Sequence, residues 1–202
     1  IGGARGSTSR GIETLERVVS QGDWARDDAK VLLIAFLKRE KKYNEAYQLA
    51  QELTEKYPVN YLFKLEAADA KVLQAANDRQ ADKKSVGDSE REAFAIFDGL
   101  IADSGNTKVA RALDQIHFSY AQALFVSGQF ERAASQFTLA ATTAGAPESV
   151  ITLAQLKAGQ SLDLVGKRSD ALARYAVVSK RPNIYDSLKE AQRGLREPYK
   201  LP

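Results

Sequence analysis

The 202-residue chain has no cysteine, no methionine, one histidine and five prolines. Without cysteine it can form no disulfide, offers no thiolate nucleophile and cannot build a cysteine-ligated zinc site. The same absence says nothing about redox compartment. The single histidine, His117, rules out a histidine-rich metal centre and leaves one residue on which a Ser-His pair could be assembled. Few prolines and few runs of β-branched residues point to an all-α protein. No apolar stretch approaches the roughly 18–20 residues that a membrane span requires. The opening Ile1-Gly2-Gly3-Ala4-Arg5 lacks the pattern of a signal peptide. The lack of methionine even at position 1 is expected of a piece excised from a longer chain, or of a sequence from which modified methionines were omitted. The compartment stays open: cytoplasmic, or periplasmic or exported if a signal peptide lies upstream.

Charge of one sign is also scarce. Twenty-nine basic residues against 26 acidic ones give a net +3, too mild for a nucleic-acid binder, which needs a clustered basic surface. The densest basic stretch, Lys38-Arg39-Glu40-Lys41-Lys42, reads as a helix end and turn, because cations suit helix C-termini. With 44% hydrophobic and 27% charged residues the chain otherwise has the composition of a soluble globular protein.

What is present is one pattern repeated four times. It reads Tyr43-x-x-Ala46-x-x-x-Ala50-x-x-Leu53, Ala93-x-x-x-Phe97-x-x-Leu100, Phe130-x-x-Ala133-x-x-x-Phe137-x-x-Ala140 and Ala171-x-x-x-Tyr175-x-x-Val178. A small residue followed four and seven positions later by apolar ones marks a single helix face. The leading alanines are 47, 40 and 38 residues apart, a spacing that predicts stacked helical hairpins, each too small to bury its own core.

The intervening residues give the helices. Ser7, Thr8 and Ser9 are cap candidates ahead of Ile12, Leu15, Val18 and Val19, and Gly22 closes that helix. Trp24 and Asp27-Asp28 open the next, whose apolar side is Val31, Leu33, Ile34 and Leu37; the return runs from Tyr43 to Tyr57, stopped by Pro58. Asn60 caps a helix expected to end near Ala76. Residues 77–88 are polar and without periodicity, so they read as an insertion. Ser89 starts the partner helix. One helix is predicted over Val109–Val126, a second over Phe130–Thr142, then Glu148–Val165, Ser169–Ser179 and a last one about Tyr185–Leu195. The organisation is thus an N-terminal helix in 1–24, repeats at 25–58, 59–105, 106–146 and 147–182, and a capping helix with an irregular tail in 183–202.

These residues resemble the tetratricopeptide repeat family, with divergent repeats over about 25–182. Unit three is similar in Ala121, Gly128, Phe130, Ala133, Phe137 and Ala140. Unit four is similar in Gly159, Gly166, Ala171 and Tyr175, with Arg168 in place of the aromatic. Unit one matches in Leu33, Tyr43, Ala46 and Pro58, with Lys41 where glycine is usual, and unit two only on its second helix. The intervals exceed the usual repeat of roughly 34 residues. The resemblance implies an α-solenoid of about four antiparallel hairpins in a right-handed superhelix with a capping helix, and a concave face lined by the first helix of each hairpin. It also puts His117 where a packed aromatic is usual, so a core role is expected.

No catalytic constellation emerges. Carboxylate pairs such as Glu66 with Asp69 and Asp27 with Asp28 read as solvated faces, since acid–base work needs groups converging in an apolar pocket. Gly2, Gly3 and Gly6 fit no phosphate loop. The chain is therefore expected to be non-catalytic and without metal or cofactor. On the inner face the resemblance places Gln115, Phe118, Gln122 and Phe125 in unit three, Leu153, Leu156, Gln160 and Asp163 in unit four, and Asp28, Val31, Ala35 and Lys38 in unit one. Rings that give area, beside amides that satisfy backbone groups, suit a protein or peptide; the competing reading packs Phe118 and Phe125 between hairpins. Gln115, Phe118, Gln122, Phe125, Gln160 and Asp163 are the candidate protein-binding residues. The family's dicarboxylate clamp has no match, its positions holding Ala35, Gln122 and Gln160. A protein-interaction scaffold leads. The alternatives are a helical accessory domain of a larger enzyme or envelope-assembly protein, and an RNA-binding repeat, whose stricter period this chain lacks. Homo-oligomerisation is left open.

Overall fold

The computed structural model describes residues 8–22, 25–81 and 85–201. Ser7, Trp24 and the glycines at 2, 3 and 6 lie outside the described residues. Among the described residues there are eleven α-helices and no strand. The chain forms two compact units, Ile1–Leu100 and Ile101–Pro202. The four repeated alanines, Ala46, Ala93, Ala133 and Ala171, are all completely buried, as are Ala50, Leu100, Phe137, Ala140 and Val178 from the same pattern. A methyl group is what lets two helix backbones approach at these crossings.

The first unit contains α1 (Thr8–Gln21), α2 (Arg26–Arg39), α3 (Tyr43–Lys56), α4 (Tyr61–Gln80) and α5 (Val86–Ala102, whose last turn passes the boundary). α1 packs on α2, α2 on α3 and α3 on α4. Ile12, Leu33, Ile34, Leu37, Ala46, Ala50, Leu53, Ala67 and Ala70 form its core. α2 carries Asp27 and Asp28 in its first turn and Lys38 and Arg39 in its last, both matched to the helix dipole. The Asn60 side chain accepts the Leu62 N–H at 3.2 Å, capping α4.

The 77–88 segment departs from the expected loop. α4 continues to Gln80 and α5 begins at Val86. Asp78 is 2% exposed, and its carboxylate accepts from Gln74 Nε2 at 2.7 Å and Ser85 Oγ at 2.8 Å. Arg79 pairs with Glu90 across the connection. The contact that joins Asp78 to Ser85 is polar, so apolar periodicity gives no sign of it.

The second unit contains α6 (Thr107–Ala110), α7 (Leu113–Val126), α8 (Phe130–Thr142), α9 (Glu148–Leu164), α10 (Arg168–Val178) and α11 (Ser187–Arg196). Consecutive helices from α7 to α11 pack together. The single helix expected over 109–126 is broken at Arg111-Ala112, where the Ala112 N–H bonds back to Val109 at 2.9 Å; no glycine or proline marks the break. α11 starts two residues later than expected because Tyr185 and Asp186 are left-handed (φ 46° and 62°). Ser187 Oγ then accepts the Ile184 N–H, and Asn183 Oδ1 accepts that of Leu188. His117 is buried, 2.7 Å from Gln136 Oε1, in the core role expected.

Three hairpin turns share one design. After α2, α7 and α9 a left-handed residue follows: Lys41 (φ 61°), Gly128 (φ 76°) and Gly166 (φ 74°). The next N–H reaches back to Leu37, Leu124 and Leu162 at 2.9, 2.8 and 2.9 Å, the Schellman closure of a helix end. This closure fixes the register of the returning helix, which begins at Tyr43, Phe130 and Arg168 respectively. Lys41 adopts the conformation that glycine supplies in the other two turns.

Candidate functional site

The third of these turns places Arg168 in the position held by an aromatic in the other two, and a polar site is built around it. Asp163 sits in the last turn of α9 with its side chain fully buried. Arg168 Nη1 donates to both of its carboxylate oxygens, at 3.0 and 3.1 Å, while Arg168 Nη2 donates to the Gly194 carbonyl at 2.7 Å. The Tyr175 hydroxyl and the Tyr199 backbone N–H each donate to Asp163 Oδ2 at 2.8 Å. A buried carboxylate is tolerable only when its charge and lone pairs are met in this way. Asp163 and Arg168 together thereby tie α9, α10, α11 and the segment after α11.

Two helix glycines make room for the network. The Tyr175 ring is 1% exposed and lies between Gly159 of α9 and Gly194 of α11. A Cβ at either position would come within 2.7 or 2.6 Å of ring carbons, closer than real contacts permit. Burial, and next the Asp163 carboxylate that accepts its proton, push the Tyr175 hydroxyl far above the ordinary tyrosine pKa. The Tyr175 hydroxyl, the Arg168 guanidinium and the buried Asp163 carboxylate form one hydrogen-bonded knot.

Next to the knot runs the face of α7 that the sequence singles out. Gln115 and Gln122 are exposed, and Phe118 and Phe125 are half-buried. Phe118 meets Phe137 edge-on at 5.4 Å, and Phe125 meets Phe130 edge-on at 5.3 Å. Both rings therefore serve packing and keep part of their surface in solvent. From α9, Lys157 Nζ stands 5.7 Å from the Phe125 ring centre. Burial lowers the Lys157 pKa, and the Glu190 charge only partly opposes it.

The two α9 candidates lie deeper. Gln160 is 5% exposed and its Oε1 is buried without a hydrogen-bond partner. It lines a cavity of about 140 Å³ together with Glu190, Arg193, Tyr199 and Lys200. Asp163 is consumed by the knot, so neither presents a free side chain at the surface. Sequence reasoning misses Arg168 and Tyr199, one as a departure from a repeat pattern and the other as irregular tail. The signal for Arg168 is a cation five residues beyond Asp163 across a glycine turn; Tyr199 gives none.

Elsewhere, Glu66, Asp69 and Asp27 are engaged in ion pairs. Lys38 bridges Glu66 and Asp69 at 2.7 Å each. Asp27 accepts from Lys56 and from the Tyr57 hydroxyl at 2.5 Å. No group of three His, Asp or Glu side chains that could hold a metal occurs among the described residues. None of the described helices is long and apolar enough to cross a membrane.

No protein-family profile and no curated protein matches the chain. Among solved structures, that of a thermophilic TPR protein from Thermus thermophilus is similar to it with a TM-score of 0.63, over 94% of this chain and 91% of that one. At 14% identity the likeness speaks for fold alone. With consecutive helical hairpins, left-handed turns after α2, α7 and α9 and buried alanines on α3, α5, α8 and α10, the chain has the all-α, solenoid-type fold of the tetratricopeptide repeat.

Proposed function

We propose that this chain is a non-catalytic interaction scaffold that takes a protein or peptide partner on the α7–α9 face of its second unit. The observation that carries the reading is the alternation along α7 of exposed Gln115 and Gln122 with half-buried Phe118 and Phe125. Partly exposed rings offer contact area at low entropic cost, and flanking amides pair with a partner's backbone. Lys157, half-buried beside Phe125, favours a partner that brings an acidic group, which would relieve the cost of keeping that ammonium charged. Gln160 and Asp163 act beneath the face as its support.

The test is site-directed photo-crosslinking in the cells that make the protein. A photoreactive side chain replaces Gln122 in one variant and Ser135 in another; Ser135 is exposed on α8. The expected result is a discrete adduct through position 122 and none through 135. Equal adducts from both, or none from 122, would overturn the proposal.

A further inference from the structure

The segment after α11 runs Glu197-Pro198-Tyr199-Lys200-Leu201 and reaches the face just described. Glu197 is extended (φ −138°, ψ 146°), and Pro198 keeps the chain from resuming a helix. Tyr199 donates its N–H to Asp163 at 2.8 Å and sets its ring 6.5 Å from the Phe125 ring. Its neighbours Pro198, Lys200 and Leu201 are exposed. The segment is thus held mainly through one residue, which contributes one backbone N–H and one ring.

The anchor does not depend on the segment. With residues 198–201 lifted away, Asp163 keeps both bonds from Arg168 and the one from the Tyr175 hydroxyl, and Arg168 keeps the Gly194 carbonyl. Release leaves no unpaired buried charge. It frees an acceptor site on Asp163 Oδ2 and more of the Phe125 ring, beside the cavity that Gln160, whose buried carbonyl oxygen has no hydrogen-bond partner, helps to line. An extended peptide backbone supplies the N–H donors that such a groove lacks.

We propose that this groove receives an extended segment of another protein, one that lays an aromatic ring on Phe125 and offers a backbone N–H to Asp163, and that residues 198–201 occupy it in cis until displaced. This rests on the reading of the α7–α9 face as a protein-binding surface. The linkage to α11 is only a few residues long, so the internal occupant competes at an effective concentration on the order of millimolar. A free peptide of the same sequence is therefore excluded from the parent chain and admitted once the internal copy is disabled.

The probe is a fluorescent peptide with the sequence of residues 195–202, followed by anisotropy against the full chain and against the full chain carrying Tyr199→Pro. Proline removes both the N–H and the ring from the internal occupant. The variant is expected to bind the probe at least about tenfold more tightly than the parent, the factor that an internal competitor at roughly millimolar effective concentration imposes on a probe whose own Kd is about 0.1 mM or tighter. Its melting temperature stays close to the parent's, because the knot survives. A probe carrying Tyr199→Ala loses binding to the variant, a readout that needs no further change in the protein. Equal binding to parent and variant, no binding to either, or a variant that melts far lower or does not fold would each overturn the proposal. In the last case the segment is a fixed part of the fold. Crosslinking through position 122 is read on the parent and does not involve the probe, so adducts there without peptide binding would overturn this inference alone.

Discussion

The two compact units are built from the same hairpins but spend their buried polar residues differently. In the first, the core is aliphatic and the long-range ion pairs lie outside it: Lys38 with Glu66 and Asp69, Lys56 with Asp27, Lys71 with Glu92. Among the described residues its buried polar ones are Asp78 and Ser89, both beside the connection from α4 to α5. In the second, Asp114, His117, Thr152, Gln155, Gln160, Ser161, Asp163 and Ser187 are buried, and the Asp163–Arg168 pair ties α9, α10 and α11. Apolar packing is tolerant of small shifts, whereas a buried hydrogen-bonded charge admits essentially one geometry. The difference sets a buried, hydrogen-bonded charge beside the proposed binding face of the second unit.

The largest effect should come from splitting the knot. Arg168→Ala leaves Asp163 buried without its cation and should cost about 3–5 kcal/mol in denaturant unfolding, the usual result of breaking a buried pair. The matched change in the first unit, Lys38→Ala, removes a cation shared by two half-exposed carboxylates and should cost no more than about 1 kcal/mol. Similar losses from both would erase the contrast between the units.

Gly159→Ala tests the same contrast through shape. The added Cβ meets the Tyr175 ring at 2.7 Å, and overpacking of this kind costs about 1–3 kcal/mol. Since Tyr175 carries the Asp163 bond, the loss should track loosening of α11 in amide exchange. A neutral melting temperature would show that the ring has room to move.

Asp78→Ala probes the buried carboxylate of the first unit. Removing the acceptor for Gln74 and Ser85 should cost about 1–3 kcal/mol, and amides of 77–80 should exchange faster. Unchanged protection there would mean that the helix end does not need the carboxylate.

The smallest effect is a gain. Lys41 holds a left-handed conformation (φ 61°) whose cost for an L residue is about 1–2 kcal/mol. Lys41→Gly should therefore stabilise the first unit by up to about 1 kcal/mol, because glycine's greater backbone entropy when unfolded offsets part of the relief. Destabilisation would mean that the lysine side chain contributes more than its backbone strain.

The fold is legible because its rules are local and repeated. Ala46, Ala93, Ala133 and Ala171 announce the crossings, and Gly128 and Gly166 announce turns that recur with the same closing bond. The residues that escape are those whose role depends on distant partners. The 77–88 stretch looks loose because its anchor is a carboxylate, and apolar periodicity is blind to that. Arg168 breaks the repeat pattern, and only its contacts with Asp163 and Gly194 show why a cation belongs there. Spacing along α9 picks out Asp163 and Gln160 as one stripe, but it cannot reveal that a later segment covers them. Gln115 and Gln122 are exposed as a surface stripe requires, and Phe118 and Phe125 divide their surface between packing and solvent.

Hydrogen exchange on Arg168→Ala, resolved by segment, tests most directly whether the Asp163–Arg168 pair fastens α11 and its following segment to the face. The account predicts that α11 and residues 197–201 lose protection together, while α7 and α8 keep theirs. Protection unchanged in α11, or lost evenly across all helices of the second unit, would contradict it.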